Sequence, residues 1–182
     1  MSKIISKLFK SDKRVNDLRP QILTYFVSGV MTDDERARLL GLPKGCRVRE
    51  GAKIIAPENF KCGKYVWIGE YALLDASGGL TIGDYTQIGL HTLVWTHTSY
   101  LQALRAETCR SGRSIIRKPT SIGKCCFIGG PTVVYPGVTI EDYVVVLPLS
   151  VVTKDLASGY IYAGAPAKKV RKLMDDELNP GV

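Results

Sequence analysis

The sequence predicts an all-β chain wound as a parallel β-helix of hexapeptide repeats, and three observations predict it. From Ile122 onward every sixth residue is a β-branched aliphatic: Ile122, Ile128, Val134, Ile140, Val146 and Val152. Four places after each of the first five stands a small or β-branched residue: Cys126, Thr132, Val138, Val144 and Ser150. Glycines follow many of the aliphatics, Gly69, Gly83, Gly89, Gly123 and Gly129 among them, as a chain that turns tight corners requires. A period of six fits neither an amphipathic helix, near ~3.6 residues, nor a simple alternating strand. It fits a solenoid in which each hexad supplies one short strand and a turn. Three hexads then close a triangular coil, and the inward aliphatics stack into a continuous apolar column.

The elements follow in chain order. Residues 1–45 read as mainly helical, and TDDE, Thr32 to Glu35, forms a capping box that opens a short helix ending near Gly41. Residues 46–166 form the β-helix. Its upstream hexads begin at Ala56, Cys62, Ile68 and Leu74, then at Ile82, Ile88 and Val94. The two runs are out of phase by two residues, which places an insertion near Gly78 and Gly79. About fourteen hexads make about four to five coils. One long interruption, residues 96–120, reads as a protruding loop, and a loop that breaks a regular array is often functional. The run APAKKVRKLMDDEL supplies a basic C-terminal helix and tail over 167–182.

Composition narrows the class. The 182 residues are 45% hydrophobic and 23% charged, as in a soluble globular protein long enough to bury a core. Five cysteines, an odd number without a CxxC pair, argue against a disulfide framework or a zinc site and for reduced thiols in the cytoplasm. The start, MSKIISKLFKSDKR, lacks the continuous apolar core of a signal peptide, and ILTYFVSGVM is too short to span a bilayer. The expectation is a cytoplasmic protein whose basic, amphipathic N-terminus offers a peripheral, membrane-proximal contact. A net charge of +8 suggests an anionic partner. Nucleic acid is disfavoured, because no recognition motif or array of stacking aromatics accompanies the charge.

The run IGKCCFIGGPTVVYPGVTIEDYVVVLPLSVVTKD, followed by YAGAPAKKVRKL, resembles the closing segment of left-handed β-helix acetyltransferases of the hexapeptide-repeat family. The segment DASGGLTIGDYTQIGLHTLVWTH resembles their sugar and polysaccharide O-acetyltransferases. The resemblance covers roughly residues 46–172. It implies a left-handed coil and a homotrimer with active sites between neighbouring subunits. It also implies acetyl-CoA lying along the outside of the coils, and no metal. The implied reaction moves acetyl to a hydroxyl of a sugar or surface-polysaccharide precursor.

The resemblance puts the catalytic role on His97. A sugar hydroxyl must lose its proton as it attacks the thioester, and imidazole, with a pKa near ~6.5, suits that task. A base histidine is often oriented by a carboxylate, and Asp75 is the candidate; read without the resemblance, Asp75 is a turn-former beside Ser77 and Gly78. Asp84, in IGDY, reads as a turn residue. Trp95 and Tyr100 flank His97 and suit sugar rings or a pantetheine arm, or packing at a subunit contact. In the loop, Arg105, Arg110, Arg113, Arg117 and Lys118 stand against one acid, Glu107. Arg110 and Arg113 are therefore candidates for binding an anionic glycan acceptor, the alternative being a solubilising loop.

For the donor, the resemblance implies phosphate or adenine contacts from Lys154 and Arg171, with Thr153 beside them. Gly130 would offer backbone hydrogen bonds to pantetheine. One departure bears on this: Leu147–Pro148–Leu149 stand where the family pattern reads Gly–Ala–Gly, which predicts a narrowed donor channel. His91, six residues before His97, lies one face round the triangle, so the two rings point in different directions within one subunit, and His91 reads as structural or interface-facing, with a place in the cleft across a trimer contact as the alternative. The three-histidine zinc site of γ-class carbonic anhydrases, which share the fold, is not available to a chain with two histidines. Two rival readings remain: an O-acetyltransferase acting on an antibiotic hydroxyl, and a non-catalytic β-helix scaffold.

Overall fold

The computed structural model describes residues 29–108 and 112–178. Three parallel sheets form the faces of a triangular prism. The first face stacks Arg47–Val48, Trp67–Ile68, Gln87–Ile88, Phe127–Ile128, Val145–Val146 and Tyr160–Ala163. The second stacks Lys53–Ile55, Leu73–Asp75, Leu93–Val94, Val133–Val134 and Val151–Val152. The third stacks Phe60–Cys62, Leu80–Ile82, Thr120–Ile122 and Thr139–Ile140. The six parallel rungs on the first face exceed the four to five coils expected.

The hexad rule is a burial rule. Ile68, Ile88, Ile128 and Val146 form one interior column, each 0% exposed, with Leu74, Val94, Val134 and Val152 in a second. The small residues four places on are buried too, because only short side chains fit where the coil bends inward. Upstream the phase differs from expectation. The inward residue is Ile54, at 5% exposure, while Ala56 starts a short 3₁₀ turn, Pro57–Asn59. Two extra residues thus enter the first coil at 56–59, as two enter the second at 76–79.

The corner glycines have a different cause from the one expected. Gly69, Gly83, Gly89, Gly123 and Gly129 do not take positive φ; Tyr65, Tyr71, Tyr85, His91, Cys125, Tyr143 and Leu149 do, with φ of 54–60°. The glycines are needed for close approach between coils. A Cβ on Gly69 would stand 2.6 Å from the Leu90 nitrogen, and one on Gly89 would overlap the Gly130 nitrogen. The left-handed corner residues stack along the prism edges, Tyr65 on Tyr85 at 5.0 Å and Tyr71 on His91 at 5.2 Å. His91 is therefore a corner residue, and its ring belongs to that stack.

Both ends of the described prism are covered. Helix α1, Asp33–Leu39, opens on the capping box of Thr32 and Glu35. Its buried Asp33 accepts from Arg36 at 2.7 Å, Arg47 at 2.9 Å and Arg49 at 3.4 Å, tying the helix to the first rung. At the other end the expected C-terminal helix is corrected: Lys168–Lys172 is a strand, antiparallel to Tyr160–Ala163. The last coil leaves a row of unpaired amides and carbonyls, and a strand satisfies them where a helix could not. Its exposed charges also blunt the edge against further pairing. Only Asp175–Leu178 is helical beyond it. Residues 1–28, with the basic N-terminal stretch, lie outside the described residues.

The close approach at Gly89 makes a test. Gly89→Ala is expected to destabilise the protein by about 2 kcal/mol or more, since coil backbones must part to admit the methyl group. Gly112→Ala, whose Cβ meets nothing within 4 Å, should show only the smaller strain of its φ of +60°. Urea unfolding of the two variants checks this.

Candidate active site

The hexad rule fails at three places, and all three lie on one edge of the prism, between the second and third faces. Residues 56–59 and 76–79 each add two residues to the turn, and the third interruption, from Thr96, is the long loop. The loop leaves and rejoins the prism through a two-residue antiparallel ribbon in which His97 faces Arg117 and Thr98 faces Ile116. Helix α2, Tyr100–Leu104, follows.

Asp75 ends its strand one rung before Trp95 and is completely buried. Its Oδ1 accepts the Ser77 N–H at 3.0 Å. Its Oδ2 accepts the Thr96 N–H at 2.8 Å and the Thr96 hydroxyl at 2.9 Å. The same oxygen lies 2.7 Å from His97 Nδ1, and the Ser77 hydroxyl is 3.0 Å from that nitrogen. Burial alone pushes the Asp75 carboxyl up. The donors from Thr96, His97 and Ser77 outweigh it and hold the pKa down, to about 2. An ionised carboxylate only accepts, so Nδ1 is the donor to it, and in the neutral form of the imidazole the lone pair is then on Nε2. Among the described residues Nε2 has no hydrogen-bond partner, and the His97 side chain is 29% exposed.

His97 borders a cleft of about 390 Å³ lined also by Trp95, Thr98, Ser99, Val133, Tyr135 and Pro136. Trp95 meets the imidazole edge-on at 5.9 Å. Trp95, Tyr135 and Thr153 occupy the same place in successive rungs, each linked to the next through the backbone. Tyr135 stands 40 residues from Trp95 in sequence, and only the length of the loop, absent from any local pattern, brings it there. Ser77 and Thr96 were likewise not singled out; the signal for Ser77 is its place two residues after an aspartate.

The remaining candidates are dispersed. Lys154 is exposed on the His97 edge, two rungs on. Gly130 lies at the opposite edge of the second face, where a Cβ would overlap the Leu90 carbonyl oxygen. Leu147 and Leu149 share that far edge and point outward, 38% and 75% exposed. They do not line the His97 cleft. Arg171, on the covering strand, is held by Glu177 through two 2.7 Å contacts. Tyr100 and Arg113 are exposed and do not line the cleft, and Arg110 lies outside the described residues. Asp84 is a turn residue, accepting the Lys64 N–H at 2.7 Å. Among the described residues no three His, Cys, Asp or Glu side chains converge as a metal site requires.

No known family model matches the chain. It is 31% identical over 142 residues to a protein of Escherichia coli K12 named for colanic acid biosynthesis, the acetyltransferase WcaF, covering 77% of this chain and 74% of that one. It is 32% identical over 133 residues to the galactoside O-acetyltransferase of Escherichia coli K12, covering 70% and 64%. Its fold matches the hexapeptide-repeat acetyltransferase VCA0836 of Vibrio cholerae, solved with acetyl coenzyme A, with a TM-score of 0.72 at 27% identity over 91% and 92% of the two chains. A triangular left-handed β-helix with a carboxylate-held histidine on its outer edge, joined to these likenesses, places the chain in the hexapeptide-repeat acetyltransferase family. It is an acetyl-CoA-dependent acetyltransferase.

The depressed Asp75 pKa sets a pH dependence. The carboxyl titrates near ~3.9 when unfolded and about 2 when folded, so its stabilising contribution is complete above about pH 4 and is lost as pH falls toward 2. Urea unfolding between pH 5 and pH 2 should show wild type losing about 2 kcal/mol relative to Asp75→Asn, which has no carboxyl to titrate.

Proposed function

We propose that this acetyltransferase moves acetyl from acetyl-CoA to a hydroxyl of a sugar or surface-polysaccharide precursor, by direct attack with His97 as the base. The hydrogen bond from Nδ1 to buried, ionised Asp75 carries this reading, because it fixes the tautomer and leaves Nε2 to take a proton. The acceptor oxygen bonds to the thioester carbonyl carbon as Nε2 removes its proton. The carbon–sulfur bond then breaks, and the thiol of coenzyme A leaves with the proton from the imidazolium. Asp75 steadies that cation while it exists. Burial pushes the Cys62 thiol up, and the Cys126 thiol to about 11, so neither supplies a thiolate for an acyl-enzyme near neutral pH. The named acceptors of the relatives, colanic acid biosynthesis and galactosides, support the sugar class.

In this reading the donor runs up the outside of the second face from His97. Thr153 and Lys154 hold its phosphates, Gly130 approaches the pantetheine arm, and Arg171 joins only by releasing Glu177. Trp95 packs against the reacting groups, while Tyr100 and Arg113, from the loop, meet remoter parts of the acceptor. The assembly is a homotrimer. An open cleft and exposed Phe127, Leu147 and Leu149 on and beside the first face support a neighbouring subunit; sedimentation at three times the chain mass tests it. The reaction is placed in the cytoplasm, with its acetyl-CoA.

His97→Ala should lower acetyl transfer to methyl galactoside or methyl glucoside by about 100-fold or more, while acetyl-CoA binding by calorimetry stays within about twofold of wild type. Retention of the rate would remove His97 as the base, and joint loss of rate and binding would make it a donor-site residue instead.

A further inference from the structure

A second groove lies beyond the active-site cleft, on the other side of Ser77. It measures about 490 Å³ and is lined by Glu58, Asn59, Lys61, Ser77, Gly78, Gly79 and Arg117. Its walls come from all three departures from the hexad rule. Glu58 and Asn59 belong to the first insertion, Ser77 to Gly79 to the second, and Arg117 to the returning end of the loop. Hydrogen bonds to Thr96 join the second insertion to the returning loop: Gly78 N–H donates to the Thr96 hydroxyl at 2.8 Å, and Lys118 N–H to the Thr96 carbonyl at 2.9 Å. Glycine at 78 is obligatory, since a Cβ would overlap the Thr96 carbonyl, so the groove floor carries no side chain there.

The groove is charged and adjoins the imidazole. Arg117 is directly opposite His97 in the antiparallel ribbon, and opposed residues on such a ribbon project to the same face. The Ser77 hydroxyl, which lines the groove, is 3.0 Å from His97 Nδ1. Lys61 and Arg117 are both exposed, and neither side chain has a hydrogen-bond or ion-pair partner among the described residues. Two cations, a guanidinium and an ammonium, line one groove against a single acid, Glu58, and neither cation is paired with it, which favours an anionic group on a ligand. Glu58 and Asn59 at the rim are the polar types that bond sugar hydroxyls.

We propose that this groove is the acceptor subsite, and that it takes a saccharide carrying a carboxylate or phosphate, with the anion on Lys61 and Arg117 and a hydroxyl extended beyond the groove to His97 Nε2. The assignment rests on the acetyl-transfer reading above and names its substrate class. It places the anion contact on the prism edge and on the loop's base, on Lys61 and Arg117 in place of the loop residue Arg113.

The test is ligand-observed NMR titration of wild type and the K61Q/R117Q double variant with methyl glucuronide, glucose 1-phosphate and methyl glucoside, beside acetyl-CoA calorimetry on the same proteins. The expected result is that at least one charged sugar binds wild type about tenfold or more tighter than the neutral glucoside. That preference should disappear in the double variant, with acetyl-CoA binding within about twofold. Preference for the glucuronide alone identifies a uronic acid acceptor, and for the phosphate alone a sugar phosphate. Equal binding of charged and neutral sugars, no binding of any of them, or a preference that survives K61Q/R117Q overturns the subsite. Failure of wild type to bind acetyl-CoA defeats the transfer reading instead, and shows in a separate measurement.

Discussion

Backbone hydrogen bonding from coil to coil fixes everything else in this molecule. Each rung is only two to four residues long, and its inward residue must land on the inward residue of the rung before. A residue added inside such a strand would turn the buried side chain outward. Added residues can therefore enter only at corners, and here they enter at one corner three times in succession. The first coil adds a 3₁₀ turn, the second a turn around Gly78 and Gly79, and the third the long loop. The stack sets these excursions side by side, so the edge between the second and third faces carries all three of them.

That edge holds a histidine in one orientation because a buried carboxylate stands behind it. Burying Asp75 without partners would push it toward its neutral form and free the imidazole to rotate. Thr96 and Ser77 prevent this by donating to it, and both are placed by the turns that depart from the hexad rule. The two readings of Asp75, turn-former and histidine partner, are one arrangement. Oδ1 closes the turn on Ser77 while Oδ2 holds Thr96 and His97. The geometry around His97 is thus an elaboration of a corner, built from groups a corner already needs.

The interior was legible in the sequence because a solenoid is nearly one-dimensional: Ile122 through Val152 state both the period and the inward face. His97 and Asp75 were found through the resemblance, and the structure brings them together. What could not be read depends on contacts between coils. Ala56 satisfied the hexad count, yet Ile54 is the buried residue, since composition does not reveal a two-residue turn insertion. The corner glycines are required by the neighbouring backbone and not by their own φ. The run KKVRK has no helix-or-strand preference strong enough to decide; the unpaired edge of the last coil decides for it. Tyr135 joins Trp95 only because the loop returns in register.

The edge also separates the two reactants' routes. On one side of His97 lies the second face, where Trp95, Tyr135 and Thr153 form an outward column leading to Lys154. On the other lie Lys61 and Arg117, at the base of the loop. A thioester on the first route and an anionic acceptor on the second would meet at the imidazole without crossing. Their negative ends would then stay apart, each beside its own cation. A Coulomb repulsion that falls with distance is weakened by this spacing, and the bound cations offset what is left. With an acceptor of the proposed anionic class, a chain of net charge +8 would bring two anions together, and cations on both flanks of one histidine would favour that meeting; the hexad fold allows the arrangement by stacking its departures on a single edge.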